Sequence, residues 1–223
     1  LLSINNECEM AIIEMGANHQ KEIQLLCKIA EPDYGMITNI GKAHLEGFGG
    51  EEGIKKGKSE MYRYLQKSGG KVFVNINDLV LMSLLPDNAE VIKYDSTEFQ
   101  IYHNNPFLAV KLGNQIINSK LTGAYNVFNI STAYAIGRYF NVKEDEIIEA
   151  IENYFPQNNR SQLIEWDGVE IILDAYNANP SSVELSINSF LSNDTNKKIV
   201  ILGDMSELGE YAAKEHKDII DLT

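Results

Sequence analysis

Short apolar runs alternate with helical patterns along most of this chain, and that alternation limits the fold more than any other feature. "EMAIIEM" (9–15) reads as a strand and "HQKEIQLLCKIA" (19–30) as a helix. "YGMITNI" (34–40) is a second strand, followed by a Gly-rich turn and a helix through Lys55–Gln66. "KVFVNI" (71–76) is a third, with "NDLVLMSLL" (77–85) a short helix behind it. Strands separated by helices return to their sheet as parallel neighbours, so a mostly parallel α/β sheet is expected. Between Glu90 and Leu121 the pattern changes to short β runs, "VIKYD", "FQIYH", "FLAVKL" and "QIINSKL", which predict a small antiparallel appendage.

Helical periodicity returns at Tyr125–Tyr139 and Lys143–Tyr154, and the polar stretch "FPQNNRSQ" (155–162) then reads as a linker. After it come a β pair turning at Asp167–Gly168, a helix led by Asn179 and Pro180, a strand "KKIVILGDM" (197–205) and the start of another helix. The expected organisation is one α/β domain over 1–157 and the front half of a second, Rossmann-like one over 158–223. The chain begins without Met and stops in a helical pattern, so it reads as part of a longer protein.

With 19 basic against 32 acidic residues the net charge is −13, which argues against a nucleic-acid binder. Two cysteines in core-like segments fit a reducing, cytoplasmic setting. No apolar run reaches the length of a membrane span.

Several polar residues stand where apolar runs end, which is where open α/β sheets bind ligands. Glu14 closes the first run; a carboxylate there is a natural ligand for a hard cation, or a turn acid. His44 follows the second run, and parallel neighbours end on one edge, so the pair can converge on one metal. Lys58 falls with Ile54, Met61 and Leu65 on an apolar stripe. It is either a snorkelling lysine or a buried amine with a depressed pKa. Asn126 and Asn129, at i and i+3 near a helix start, cap that helix or read a purine edge. Arg160 in the linker is a surface charge or a phosphate clamp. Asp174 and Asn177, in "DAYNANP", cap nothing obvious, and Asp204 and Glu207 are turn acids or ligands.

In order along the chain, "EMGANH", "ITNIGKAHLEGFGG", "KGKSEMY", "AYNVFN", "DAYNANP" and "LGDMSELGE" resemble the Mur ligases, the ATP-dependent amide ligases of bacterial cell-wall precursor synthesis. The resemblance covers essentially the whole chain. "DAYNANP" with "EMGANH" is similar to the branch whose substrates are UDP-N-acetylmuramoyl-tripeptide and D-alanyl-D-alanine. It implies ATP and Mg2+ as cofactors, Glu14 and His44 as magnesium ligands, and Lys58 as a lysine carbamylated to hold a second magnesium. It implies an adenine contact for Asn126, a phosphate contact for Arg160 and a ribose or nucleotide contact for Asp174. Asn129 and Asn177 match the pattern as further nucleotide-side residues.

The family usually carries His directly before the motif asparagine; here it is Tyr125. The family's phosphate-cradling P-loop is expected upstream of Leu1. By itself the chain is therefore expected to bind ATP poorly and not to ligate. A non-catalytic nucleotide-binding or interaction module, and a sister ligase with another amine, are the alternative readings.

Overall fold

The computed structural model describes residues 4–5, 7–157, 159–193 and 197–223. Two units emerge. One is Leu1–Ile40, His44–Val74 and Asp78–Lys93; the other is Gly41–Ala43, Asn75–Asn77 and Tyr94–Thr223.

In the first unit, helix α1 (Glu22–Ala30) buries Ile23 and Cys27, one turn apart. It starts three residues later than the pattern predicts, because Lys21 takes a left-handed conformation, φ 76°. Its opening backbone donors are satisfied from outside: Glu60 accepts from the N–H groups of Lys21 (2.7 Å) and Gln24 (3.0 Å). Strand β1 (Tyr34–Met36) pairs in parallel with β2 (Lys71–Asn75), Tyr34 facing Lys71 and Met36 facing Phe73. The crossover between them carries α2 (Leu45–Phe48), α3 (Glu51–Lys58) and α4 (Glu60–Ser68). After β2 come α5 (Leu79–Ser83) and β3 (Glu90–Tyr94), giving a parallel sheet of order β1-β2-β3. Tyr62, Leu65, Val72, Val74, Leu81 and Ile37 form the core beneath it.

The second unit contains an antiparallel sheet, β4 (Phe99–Asn104), β5 (Leu108–Leu112) and β6 (Gln115–Asn118). Helices α6 (Val127–Tyr139) and α7 (Glu144–Asn153) cover it, and Leu108, Val110, Ile117, Ile130, Ile147 and Ile151 share one core. Beyond residue 158, which lies outside the described residues, β7 (Gln162–Trp166) and β8 (Val169–Leu173) form a hairpin. Its two-residue turn uses positive φ at both Asp167 (50°) and Gly168 (74°), the geometry that matches strand twist. Trp166 and Val169 face each other at the tip, both exposed. Helix α8 (Pro180–Leu191) opens on a capping box in which Asn179 and Ser182 exchange bonds, and α9 (Ala212–Ile220) closes the chain.

Four expectations change. Residues 9–15 form no strand, and Ile12 is 92 % exposed. Residues 197–205 form none either, with Ile201 91 % exposed. An apolar run becomes a strand only where another strand takes its backbone hydrogen bonds, and among the described residues neither run has a strand partner. "VIKYD" joins the parallel sheet as β3 instead of the antiparallel appendage, because it follows α5 and returns beside β2. The single helix expected through Lys55–Gln66 is two, α3 and α4, meeting at Ser59. There the Ser59 hydroxyl (3.2 Å) and the Arg63 guanidinium (2.6 Å) both donate to the Lys56 carbonyl, side-chain bonds that compete with the helical ladder at the junction.

Because Glu60 serves as an external cap for α1, Glu60→Ala is expected to cost about 1–2 kcal/mol, seen as a lower urea midpoint with an unchanged slope.

Candidate active site

Glu14, His44 and Lys58 belong to the first unit, and Asn126, Asn129, Arg160, Asp174 and Asn177 to the second. The turn after Glu14 is held by Glu22, whose carboxylate accepts from the N–H groups of Asn18 (2.7 Å) and His19 (3.1 Å). Those two donors, Asn18 first, hold the Glu22 carboxyl below its usual range. The loop carrying His44 comes against this turn through Gly47, where a Cβ would lie 2.3 Å from the Asn18 carbonyl oxygen. Only glycine permits that approach, so helix α2, which follows His44, meets the turn after Glu14 backbone to backbone at Asn18. Phe48 then packs its ring on Gly57, where a Cβ would come within 2.4 Å, and so seats α3.

His44 precedes α2 with φ 57°, and Glu14 is exposed. Lys58 ends α3 half-buried, and its ammonium donates to the Asn39 carbonyl at 3.1 Å, just beyond β1. Burial lowers its pKa. Among the described residues no three His, Cys, Asp or Glu side chains gather as a metal cage. Magnesium does not require one, since it commonly takes one or two carboxylates and fills its shell with phosphate oxygens and water. An exposed carboxylate on a loop fixed by backbone contact fits that donor chemistry.

In the second unit, Asn126 is buried and donates to the Thr122 carbonyl (2.8 Å), while Asn129 donates to the Asn126 side-chain oxygen (2.7 Å). Neither caps α6. Asp174 accepts from the Ser161 N–H at 3.1 Å. The Arg160 guanidinium lies over the Tyr176 ring, 3.9 Å from its centroid. Asn177 turns back on its own chain, accepting from the Ala178 N–H. Tyr125 shares a 2.7 Å hydrogen bond with the Ser161 hydroxyl. Burial raises the Tyr125 phenol's pKa, with Asp174 adding to the rise and the Ser161 bond opposing it.

The sequence gives no sign of several contacts that span it. Lys42, in "NIGKAH", pairs with the buried Glu215 at 2.9 Å, and its N–H donates to the Ser181 hydroxyl at 2.8 Å. His216 sits 2.7 Å from Asp204 of "LGDM". Partners 12 to 173 residues apart leave no periodic trace.

Residues 1–137 match the Mur ligase middle domain, and residues 159–223 match the Mur ligase, glutamate ligase domain. The chain belongs to the Mur ligase family. Among curated Mur ligases it is similar to the UDP-N-acetylmuramoyl-tripeptide--D-alanyl-D-alanine ligase of Bacillus subtilis (strain 168), 29 % identical over 98 % of this chain and 49 % of that protein. The enzyme of the same name from Escherichia coli (strain K12) is 28 % identical, over 98 % of this chain and 51 % of that one. The crystal structure I of MurF from Acinetobacter baumannii superposes with a TM-score of 0.87 at 29 % identity, covering 99 % of this chain and 51 % of its own. MurF ligase from Thermotoga maritima in complex with ADP gives 0.79 at 25 % identity, covering 93 % and 50 %. This Mur ligase chain thus spans about half the length of the relatives it matches. Among the described residues, no helix is long and apolar enough to cross a membrane.

Two measurements probe this geometry. Gly47→Ala puts a methyl group against a backbone carbonyl that has no rotamer to yield, and is expected to cost about 1–3 kcal/mol by urea denaturation. His216 is held above its ordinary 6.5 by the Ala212 carbonyl first and Asp204 second. Its pairing therefore stabilises the fold fully below pH 6.5 and is lost as pH rises through the raised folded-state value. Melting temperatures of the parent and Asp204→Asn should differ near pH 6 and converge toward pH 9.

Proposed function

We propose that the protein carrying this chain is an ATP- and magnesium-dependent amide ligase that joins D-alanyl-D-alanine to UDP-N-acetylmuramoyl-tripeptide. The observation that carries this reading is the match, along 98 % of the chain, to curated ligases named for that reaction. The break between the middle and C-terminal domains is assigned between Phe155 and Gln162, a stretch that lies inside the second unit, in keeping with family matches that end at 137 and resume at 159.

In the proposed reaction the tripeptide's terminal carboxylate oxygen bonds to the γ-phosphorus as the bond to ADP breaks. The amine of D-alanyl-D-alanine then attacks the carbonyl carbon of the acyl phosphate, loses a proton, and phosphate leaves. Glu14 and His44 would hold magnesium, which when bound neutralises crowded phosphate charge. Lys58 meets the needs of carbamylation: its amine is half-buried, its pKa is lowered by burial, and it reaches the β1 end. A neutral amine can add to carbon dioxide, giving an anion that supports a second cation. Asn126, Asn129, Arg160, Asp174 and Asn177 are assigned to the nucleotide side, where Arg160 supplies donors to phosphate and Asp174 an acceptor for a ribose hydroxyl.

The natural full-length protein should release phosphate only when ATP, magnesium, the tripeptide and D-alanyl-D-alanine are all present. ATP binding without turnover would instead indicate a non-catalytic nucleotide module, and turnover with a different amine a sister ligase. Lys58→Ala should lower kcat roughly a hundredfold or more, with partial recovery on adding a short carboxylic acid that replaces the lost anion. Full activity without additive would make Lys58 a rim lysine.

A further inference from the structure

Ser161 is a buried linker serine with φ 47°, a left-handed conformation that residues with a Cβ resist. Every polar group it owns is bonded. Its N–H donates to Asp174 Oδ1 (3.1 Å), its carbonyl accepts from the Thr122 hydroxyl (2.9 Å), and its own hydroxyl meets Tyr125 (2.7 Å). Two residues earlier, the Asn159 carbonyl accepts from the Ala175 N–H at 2.9 Å. The linker is thus tied on one side to the end of β8 and on the other to the start of α6.

These bonds form one chain. Asn129 donates to Asn126, Asn126 to the Thr122 carbonyl, Thr122 to Ser161, and Ser161 to Asp174. Tyr125 closes it from the side, its ring filling the space where a Cβ on Gly123 would lie 2.4 Å away. Two consequences follow for the residues between the ties. Asp174 has one carboxylate oxygen engaged by the Ser161 N–H, which restrains the group and leaves Oδ2 to accept from a ligand. Arg160, flanked by Asn159 and Ser161, stacks its flat face on Tyr176, and stacking leaves the in-plane N–H donors available.

We propose that Tyr125 and Ser161 are positioning residues for the nucleotide: together they clamp the linker so that Arg160 donors and the Asp174 acceptor are presented side by side. The ligand chemistry this suits is an anionic phosphate with a hydroxyl donor nearby, as on a ribose phosphate. This rests on the ligase reading above. It also gives Asn126 and Asn129 a supporting task, since Asn126 holds the Thr122 carbonyl and Asn129 braces Asn126.

The test uses Tyr125→Phe and Ser161→Ala in the natural full-length protein, with kcat, the KM of each of the three substrates, and the melting temperature. Each variant is expected to raise the KM for ATP roughly three- to tenfold, the worth of one hydrogen bond. The KM values for tripeptide and amine, and kcat, should stay within about twofold. The double variant should be no worse than the poorer single one, because both cut the same link. Should either variant fail to fold, Thr122→Val removes the bond to the Ser161 carbonyl and puts the same question. An unchanged KM for ATP in both variants overturns the proposal. So does a uniform loss across all three substrates that follows the melting temperature. A parent protein that neither binds nor turns over ATP would overturn the ligase reading as well, which separates the two failures.

Discussion

The parallel pairing of β1 with β2 is the constraint on which the first unit depends. Parallel neighbours cannot be joined by a tight turn, so the chain must travel from the end of one strand back to the start of the next. Here that journey runs from residue 37 to residue 70 and carries α2, α3 and α4. Its outward part leaves from the carboxyl end of β1, and Lys58 comes back toward it through its bond to the Asn39 carbonyl. The glycines of "HLEGFGGEEGIKKGK" let this path fold tightly: Gly47 admits the Asn18 carbonyl, and Gly57 admits the Phe48 ring. The motif glycines are thus packing devices as much as conformational ones.

The second unit solves a different problem. Its linker leaves a helix and enters a hairpin, and backbone groups at such a transition have no regular partner. Side chains take that role instead, with Thr122, Tyr125 and Asp174 meeting, in turn, the carbonyl, hydroxyl and N–H of one serine. Satisfying all of a residue's polar groups at once offsets an unfavourable backbone conformation, and left-handed Ser161 shows that balance.

What could be read in the sequence was whatever depends on neighbours close in the chain. The Asp167–Gly168 turn and the Asn179–Pro180 helix start are local chemistry, and both stand as expected. The helix phase of Lys58 was legible only as far as Ser59, where α3 gives way to α4 and an arginine four residues ahead bonds the Lys56 carbonyl. Residues 9–15 and 197–205 carry strand-like composition, yet composition does not supply a pairing partner. Lys42 with Glu215, and Ser161 with Tyr125, were not legible at all; they depend on tertiary contact between segments with unrelated patterns.

The hairpin tip has an optical consequence. Trp166 is the chain's only tryptophan, and it stands 73 % exposed beside a turn. Its emission already comes from a largely hydrated indole in the native state, so loss of either apolar core changes it little. Tryptophan fluorescence of this chain is a local probe of the β7–β8 tip, sensitive to anything that covers that indole and nearly silent about cooperative melting elsewhere.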